Sequence, residues 1–398
     1  MAKLAHPHFW FDASGPRRPR WWALIAQVVA TAALLVWGIV PSKFASGTTM
    51  QIRETLRCDL PNRADYEERE WGYYERLIER DRRLGELGEL PRAIARQSLA
   101  RPENAGFAAG PLTLPVDDIR EFVLKPSLAT NHAGARWTTN SLGMRDQEYA
   151  RRKPAGTFRI ALVGDSIAAG WGVEDGKGFE PVLERVLDER SRAGRGSAIE
   201  ILNLAVPGHS PGARWQHLVS VGWALEPDMV IFEATEADLG WDERRLRGLL
   251  PRGIGWDSPL YRDALADAGV RPGATADAYK RELHPYRAAI LAEVYRTAAA
   301  DCRARHVPAV WVLIPRVGKA SEPAERAWLV AQARGAGFST VLDLSDTYSG
   351  LDPKALAVGP DDYHPNADGH ARLARRLDQA LGRRPELSRV WAKGDDPR

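Results

Sequence analysis

The chain has 398 residues, with 55 Lys and Arg against 52 Asp and Glu and a net charge of +3, long enough for one large domain or two ordinary ones. Basic and acidic residues are interleaved with no long single-sign block, which excludes a nucleic-acid footprint. Two cysteines, Cys58 and Cys302, exclude a disulfide framework and a CxxC metal site; one bridge between them or two unlinked thiols are both open.

Residues 1–20 form a short basic segment ending in Arg17, Arg18 and Arg20. Residues 21–40, WWALIAQVVATAALLVWGIV, carry no charge and match the roughly 20 residues that cross a hydrocarbon core as a helix. The preceding arginines and the interfacial Trp21, Trp22 and Trp37 predict a transmembrane helix with a cytoplasmic N-terminus and the rest of the chain periplasmic or extracellular. The exit VPSKFASG puts Lys43 or Phe44 where a small residue should precede a cleavage site, so an uncleaved anchor is expected.

Residues 41–105 read as a helical stalk, because ADYEEREWGYYERLIERDRRLGEL spaces Glu and Arg three and four apart. Residues 106–156, with short extended pieces such as EFVLKP and ARWTTNSLGMRDQEY, read as a β-rich lead-in. From 157 to 383 the runs FRIALVG, IEILNLA, DMVIFEA, AVWVLIP and STVLDLS alternate with helical patterns, which predicts an α/β layer fold with a parallel sheet covered on both faces. Residues 240–275 are long and irregular for a connection and are expected to be a lid insertion. Residues 384–398 are a C-terminal tail.

The first long strand stops at Gly164-Asp165-Ser166, where an open parallel sheet binds ligands. Taken alone, Gly-Asp-Ser serves equally as a nucleophile turn or as the cap of a following helix. About two hundred residues on, DDYHPNADGH places Asp361 three residues before His364 in a tight loop ahead of the closing helix. His364 can then take the proton of Ser166 while Asp361 fixes its tautomer.

VGDSIAAGWG together with DDYHPNADGH resembles the SGNH/GDSL family of serine hydrolases over about residues 157–383. The resemblance implies a flavodoxin-like three-layer sandwich, a triad of Ser166, His364 and Asp361, esterase or acyl-transfer chemistry, and neither metal nor cofactor. Gly208 in NLAVPGHS matches the family's second-block glycine, so its amide and that of Ser166 are the expected oxyanion donors. The family's third-block asparagine is absent from FEATEADLGWDE; Glu236 and Asp238 are the nearest substitutes by position, and Thr235 offers a hydroxyl donor. WTTNSLGMRDQEY resembles a segment found ahead of the catalytic domain in membrane-anchored members, with Asn140, Gly143 and Arg145 expected in a structural turn and packing beside the site as the alternative. His209, His217 and His370 are expected to make polar surface contacts. The implied partners are an acylated carbohydrate or lipid substrate and the membrane. Three functions stay open: ester hydrolysis, acetyl transfer to a cell-envelope polysaccharide, and a non-catalytic glycan-binding or scaffolding domain.

Overall fold

The computed structural model describes residues 111–384 apart from 195, 320, 321 and 361. The segment 1–20, the span 21–40, the stalk 41–105 and the tail from 385, with Cys58 and Asp361, lie outside the described residues. Among the described residues no helix is long and apolar enough to cross a membrane.

Two hairpins come first. β1 (Thr113–Pro115) pairs with β2 (Phe122–Leu124), and β3 (Ala129–His132) pairs with β4 (Ala135–Thr138), both antiparallel. The second hairpin turns on Ala133 and Gly134, at φ 49° and 81°, a two-residue loop whose backbone twist matches that of the strands it joins.

The main sheet is parallel: β5 (Thr157–Val163), β6 (Ala198–Asn203), β7 (Met229–Ala234), β8 (Ala309–Leu313) and β9 (Thr340–Asp343), in the order β6-β5-β7-β8-β9. The helices are α1 (Phe179–Ala193), α2 (Pro211–Ser220), α3 (Trp241–Leu249), α4 (Arg262–Asp267), α5 (Ala276–Leu283), α6 (Arg287–Ala304), α7 (Pro323–Ala336), α8 (Pro353–Leu356) and α9 (Ala367–Gly382). Alternate residues of β5 enter two separate cores. Ile160 and Leu162 meet Leu183 of α1 and Leu373 of α9, whereas Ala161 and Val163 join the core of Leu218, Val294 and Leu329 from α2, α6 and α7. The result is a three-layer sandwich with flavodoxin-like strand order, whose crevice lies where the order reverses, between the ends of β5 and β7. Phe122, Leu124 and Trp137 of the hairpins are buried in the α1/α9 core.

Residues 240–275 differ from the expected irregular lid. They hold α3 and α4 and bury Leu246, Leu249, Leu260, Tyr261 and Leu265 in the second core.

Candidate active site

Ser166 leaves β5 through Gly164, whose backbone is packed too closely for a side chain to enter without a shift. A Cβ on Gly164 would lie 2.1 Å from Glu233 Oε2 and 2.6 Å from the Ala168 side chain. This close approach lets Glu233 Oε2 accept the Asp165 N–H at 2.6 Å. No α-helix starts at Ser166; the chain winds on through turns closed by Ala169 N–H to Asp165 O and Trp171 N–H to Ser166 O, both at 2.9 Å. The serine is therefore not the cap of a helix.

His364 Nε2 lies 2.7 Å from Ser166 Oγ, and His364 Nδ1 lies 2.7 Å from Asp362 Oδ1. The carboxylate assigns the tautomer: Nδ1–H donates to it, and Nε2 is left to accept from the serine hydroxyl. The acid on the imidazole is thus Asp362, which corrects the expectation of Asp361. Asp362 Oδ1 also accepts the backbone N–H of His364 at 2.8 Å, a two-residue turn closed by the side chain that carries the carboxylate to its own histidine. The loop is pinned by Val317 N–H to Tyr363 O at 2.9 Å and Val358 N–H to His364 O at 3.0 Å. Asn366 Oδ1 then caps α9, accepting from the Asp368 and Gly369 N–H groups at 3.1 Å. A hydroxyl, an imidazole and a carboxylate in this chain can deprotonate the hydroxyl as it attacks an acyl carbon.

Gly208 sits at φ 83° in a turn closed by His209 N–H to Val206 O at 3.1 Å, with Pro207 before it. Proline followed by a left-handed residue is the type II pattern. Val206 N–H donates to Gly164 O at 3.2 Å, tying this turn to the nucleophile loop.

Arg214 of α2, fully buried, joins all three motif regions. Its guanidinium donates to Asp165 Oδ2, to both oxygens of Asp238 and to Glu233 O, each at 3.0 Å. Burial pushes the Asp238 carboxyl up to about 7 against the pull of Arg214, and burial with the Asp165 charge pushes Glu233 well above the usual carboxylate range. The third-block positions divide accordingly. Asp238 is committed to Arg214, and the Thr235 hydroxyl, expected as an oxyanion donor, is directed to Asp238 Oδ1 at 3.5 Å. Glu236 is buried with no hydrogen bond to either carboxylate oxygen, and Arg316 Nε lies 3.6 Å from its Oε2.

The lead-in reaches the site through Arg145, while Asn140 and Gly143 take the turn role. Asn140 Oδ1 accepts the Leu142 and Met144 N–H groups at 3.0 Å, and Gly143 is at φ 81°, so both shape a turn. Arg145 leaves that turn, lies 4.0 Å over the Trp137 ring, and donates to Ala169 O (2.9 Å), Gly170 O and Val173 O (2.6 Å). It thereby holds the segment that follows Ser166. A cavity of about 460 Å³ behind that segment is lined by Asp146, Glu180, Glu184 and Asn203. Burial pushes Asp146 up to about 8 and Glu180 well above its usual range.

His209, His217 and His370 are buried, not on the surface as expected. His209 Nε2 is 2.9 Å from Phe122 O, and His370 Nδ1 accepts the Phe179 N–H at 3.2 Å. Burial pushes His217 down to about 4 and His370 to about 3, so both are neutral at pH 7. Among the described residues no group of three or more His, Cys, Asp or Glu side chains is arranged to hold a metal ion.

A doubly wound sheet with a serine, histidine and aspartate meeting at its carboxyl edge is the design of a serine hydrolase. Residues 162–372 match the model of the GDSL-like lipase/acylhydrolase family, and the chain belongs to that family of ester-bond hydrolases. No curated protein matches the chain. Among solved structures, it is similar to a two-domain esterase active on acetylated mannans, at 14% identity over 60% of this chain and 50% of that one, with a TM-score of 0.36. The chain thus spans about half the length of that relative. It is also similar to a lipase/acylhydrolase from Enterococcus faecalis (16% identity, 57% and 96% of the two chains, TM-score 0.34). A variant of an acetyl-xylooligosaccharide esterase from a Geobacillus shows 16% identity over 56% and 94%, with a TM-score of 0.37.

Proposed function

We propose that the protein is a membrane-anchored, extracytoplasmic O-acyl esterase that removes acyl groups from a glycan through an acyl-enzyme on Ser166. The observation that carries the reading is the unbroken hydrogen-bond chain from Ser166 Oγ through His364 to Asp362. Ser166 Oγ attacks the ester carbonyl carbon as its proton passes to His364 Nε2, and the alcohol leaves with that proton. Water then attacks the acyl-serine, giving its proton to His364, which returns it to Ser166 as the free acid departs. The backbone amides of Ser166 and Gly208 are assigned to the oxyanion; one such donor is worth about 3 to 4 kcal/mol of barrier. The anchor is the uncharged run 21–40 with its flanking arginines.

A fluorophosphonate probe tests the chemistry. It should label Ser166 of the wild-type protein and leave Ser166→Ala unlabelled; an unlabelled wild type with its fold intact would overturn the assignment. The anchor is tested by alkaline extraction of membranes, from which the full chain should not be released.

A further inference from the structure

Close to where the family's asparagine is missing, Glu236 is a buried side chain with no hydrogen bond to either carboxylate oxygen. Glu236 follows the end of β7, and Ser166 follows the end of the neighbouring β5, so the two stand at either side of the crevice where the strand order reverses. From the other direction a chain of contacts leads back to the same centre. Arg316 Nε is 3.6 Å from Glu236 Oε2, Arg316 Cζ is 5.3 Å from the Tyr363 ring, and that ring stacks at 4.4 Å on His364, which holds Ser166.

Both oxygens of Glu236 are buried, and neither accepts a hydrogen bond. Such a group costs free energy unless a donor arrives from outside the chain. Two other buried glutamates have an orphan oxygen, but they differ in kind. Glu180 and Glu233 each hold a donor on the second oxygen, and burial pushes both well above the usual carboxylate range. Glu236 instead faces a guanidinium and has two acceptors to spare.

We infer that Glu236 is a specificity-determining residue that accepts a hydrogen bond from a hydroxyl on the alcohol part of the ester, selecting acyl esters of sugars over esters of alcohols without a second hydroxyl. The inference rests on the acyl-enzyme reading above and narrows its substrate class. A carboxylate here stabilises a polyol but works against the developing oxyanion, which an amide at the same place would favour.

Glu236→Gln separates these effects, with two substrates compared on the full-length protein: an acetylated methyl glycoside and 4-nitrophenyl acetate. The kcat/KM for the sugar ester should fall by at least about tenfold, while that for the aryl ester should rise. Rates that move in the same direction for both esters, or for neither, would overturn the inference. Glu236→Asn supplies the same two readouts if the glutamine variant fails to fold. Failure of the underlying reading looks different: wild-type protein that cleaves neither ester and takes no fluorophosphonate would remove the acyl-enzyme and this inference together.

Discussion

Asp362 grips His364 twice through one oxygen, accepting its backbone N–H at 2.8 Å and its Nδ1–H at 2.7 Å. The same turn that shapes the loop therefore orients the imidazole. Asp362→Ala should lower kcat on an aryl ester by about 10³- to 10⁴-fold with little change in KM. Asp361→Ala should stay within about threefold of wild type. Steady-state kinetics of the two variants decide which acid serves the histidine, and a larger loss at 361 would reverse the assignment.

Arg145 acts on the nucleophile from a distance, through the carbonyls of Ala169, Gly170 and Val173. Lysine keeps the charge but cannot reach several carbonyls with a planar fork. Arg145→Lys should slow fluorophosphonate labelling of Ser166 by about tenfold and leave substrate KM within about twofold. Equal labelling rates in the two proteins would show that the clamp stabilises the fold without positioning the serine.

Gly164→Ala places a methyl against Glu233 Oε2, at a separation of 2.1 Å before any shift. Either the strand end moves or Glu233 releases the Asp165 N–H. Overpacking and a lost buried hydrogen bond together should cost about 2 to 4 kcal/mol in urea unfolding. A variant as stable as wild type would mean that the β5 turn has slack the structure does not show.

The buried acids behind the nucleophile loop make stability depend on pH. Asp146 has an ordinary carboxyl value of 3.8 and is pushed up to about 8 in the folded protein, by burial and by the charge of Glu184. The folded state binds the extra proton, so this stabilising contribution is complete below about pH 4 and is lost as pH rises through about 8. Each such carboxyl contributes a slope of at most about 1.4 kcal/mol per pH unit. Above the ordinary histidine range, where the neutral buried His217 and His370 no longer oppose it, unfolding free energy of the wild type should therefore fall between about pH 7 and pH 8.5, and Asp146→Asn should flatten the curve. An unchanged slope in the variant would place the titration elsewhere.

What could be read from the chain divides along physical lines. β7 and β8 are buried along their whole length, and burial of that kind writes near-continuous apolar runs, MVIFEA broken only by Glu233 and AVWVL by nothing. Ser166 and His364 stand in short motifs at strand and loop ends, where few residue types serve. The acid was harder, because Asp361 and Asp362 are adjacent and only the backbone turn selects between them. The charged stretch WDERRLRGLL concealed α3, since its charges are satisfied from afar: Asp242 accepts from Ser210 and Tyr261, and Arg245 pairs with Glu121 at 2.7 Å. Arg214 belongs to no short pattern, and the lead-in segment that holds Arg145 does not show which carbonyls its guanidinium would reach. Several of their partners, Ala169 O for Arg145 and Glu233 O and Asp165 for Arg214, lie 19 to 49 residues away, and only folding brings them together.

Trp137 and Phe122 are sealed inside the same core as α1 and α9, although they precede the first strand of the sandwich. The minimal catalytic unit therefore begins before the Ser motif's own strand, no later than the buried Leu112. A chain trimmed back to residue 157 would open a wound in its interior and free the segment behind its nucleophile, so the two hairpins travel with the hydrolase as part of its body.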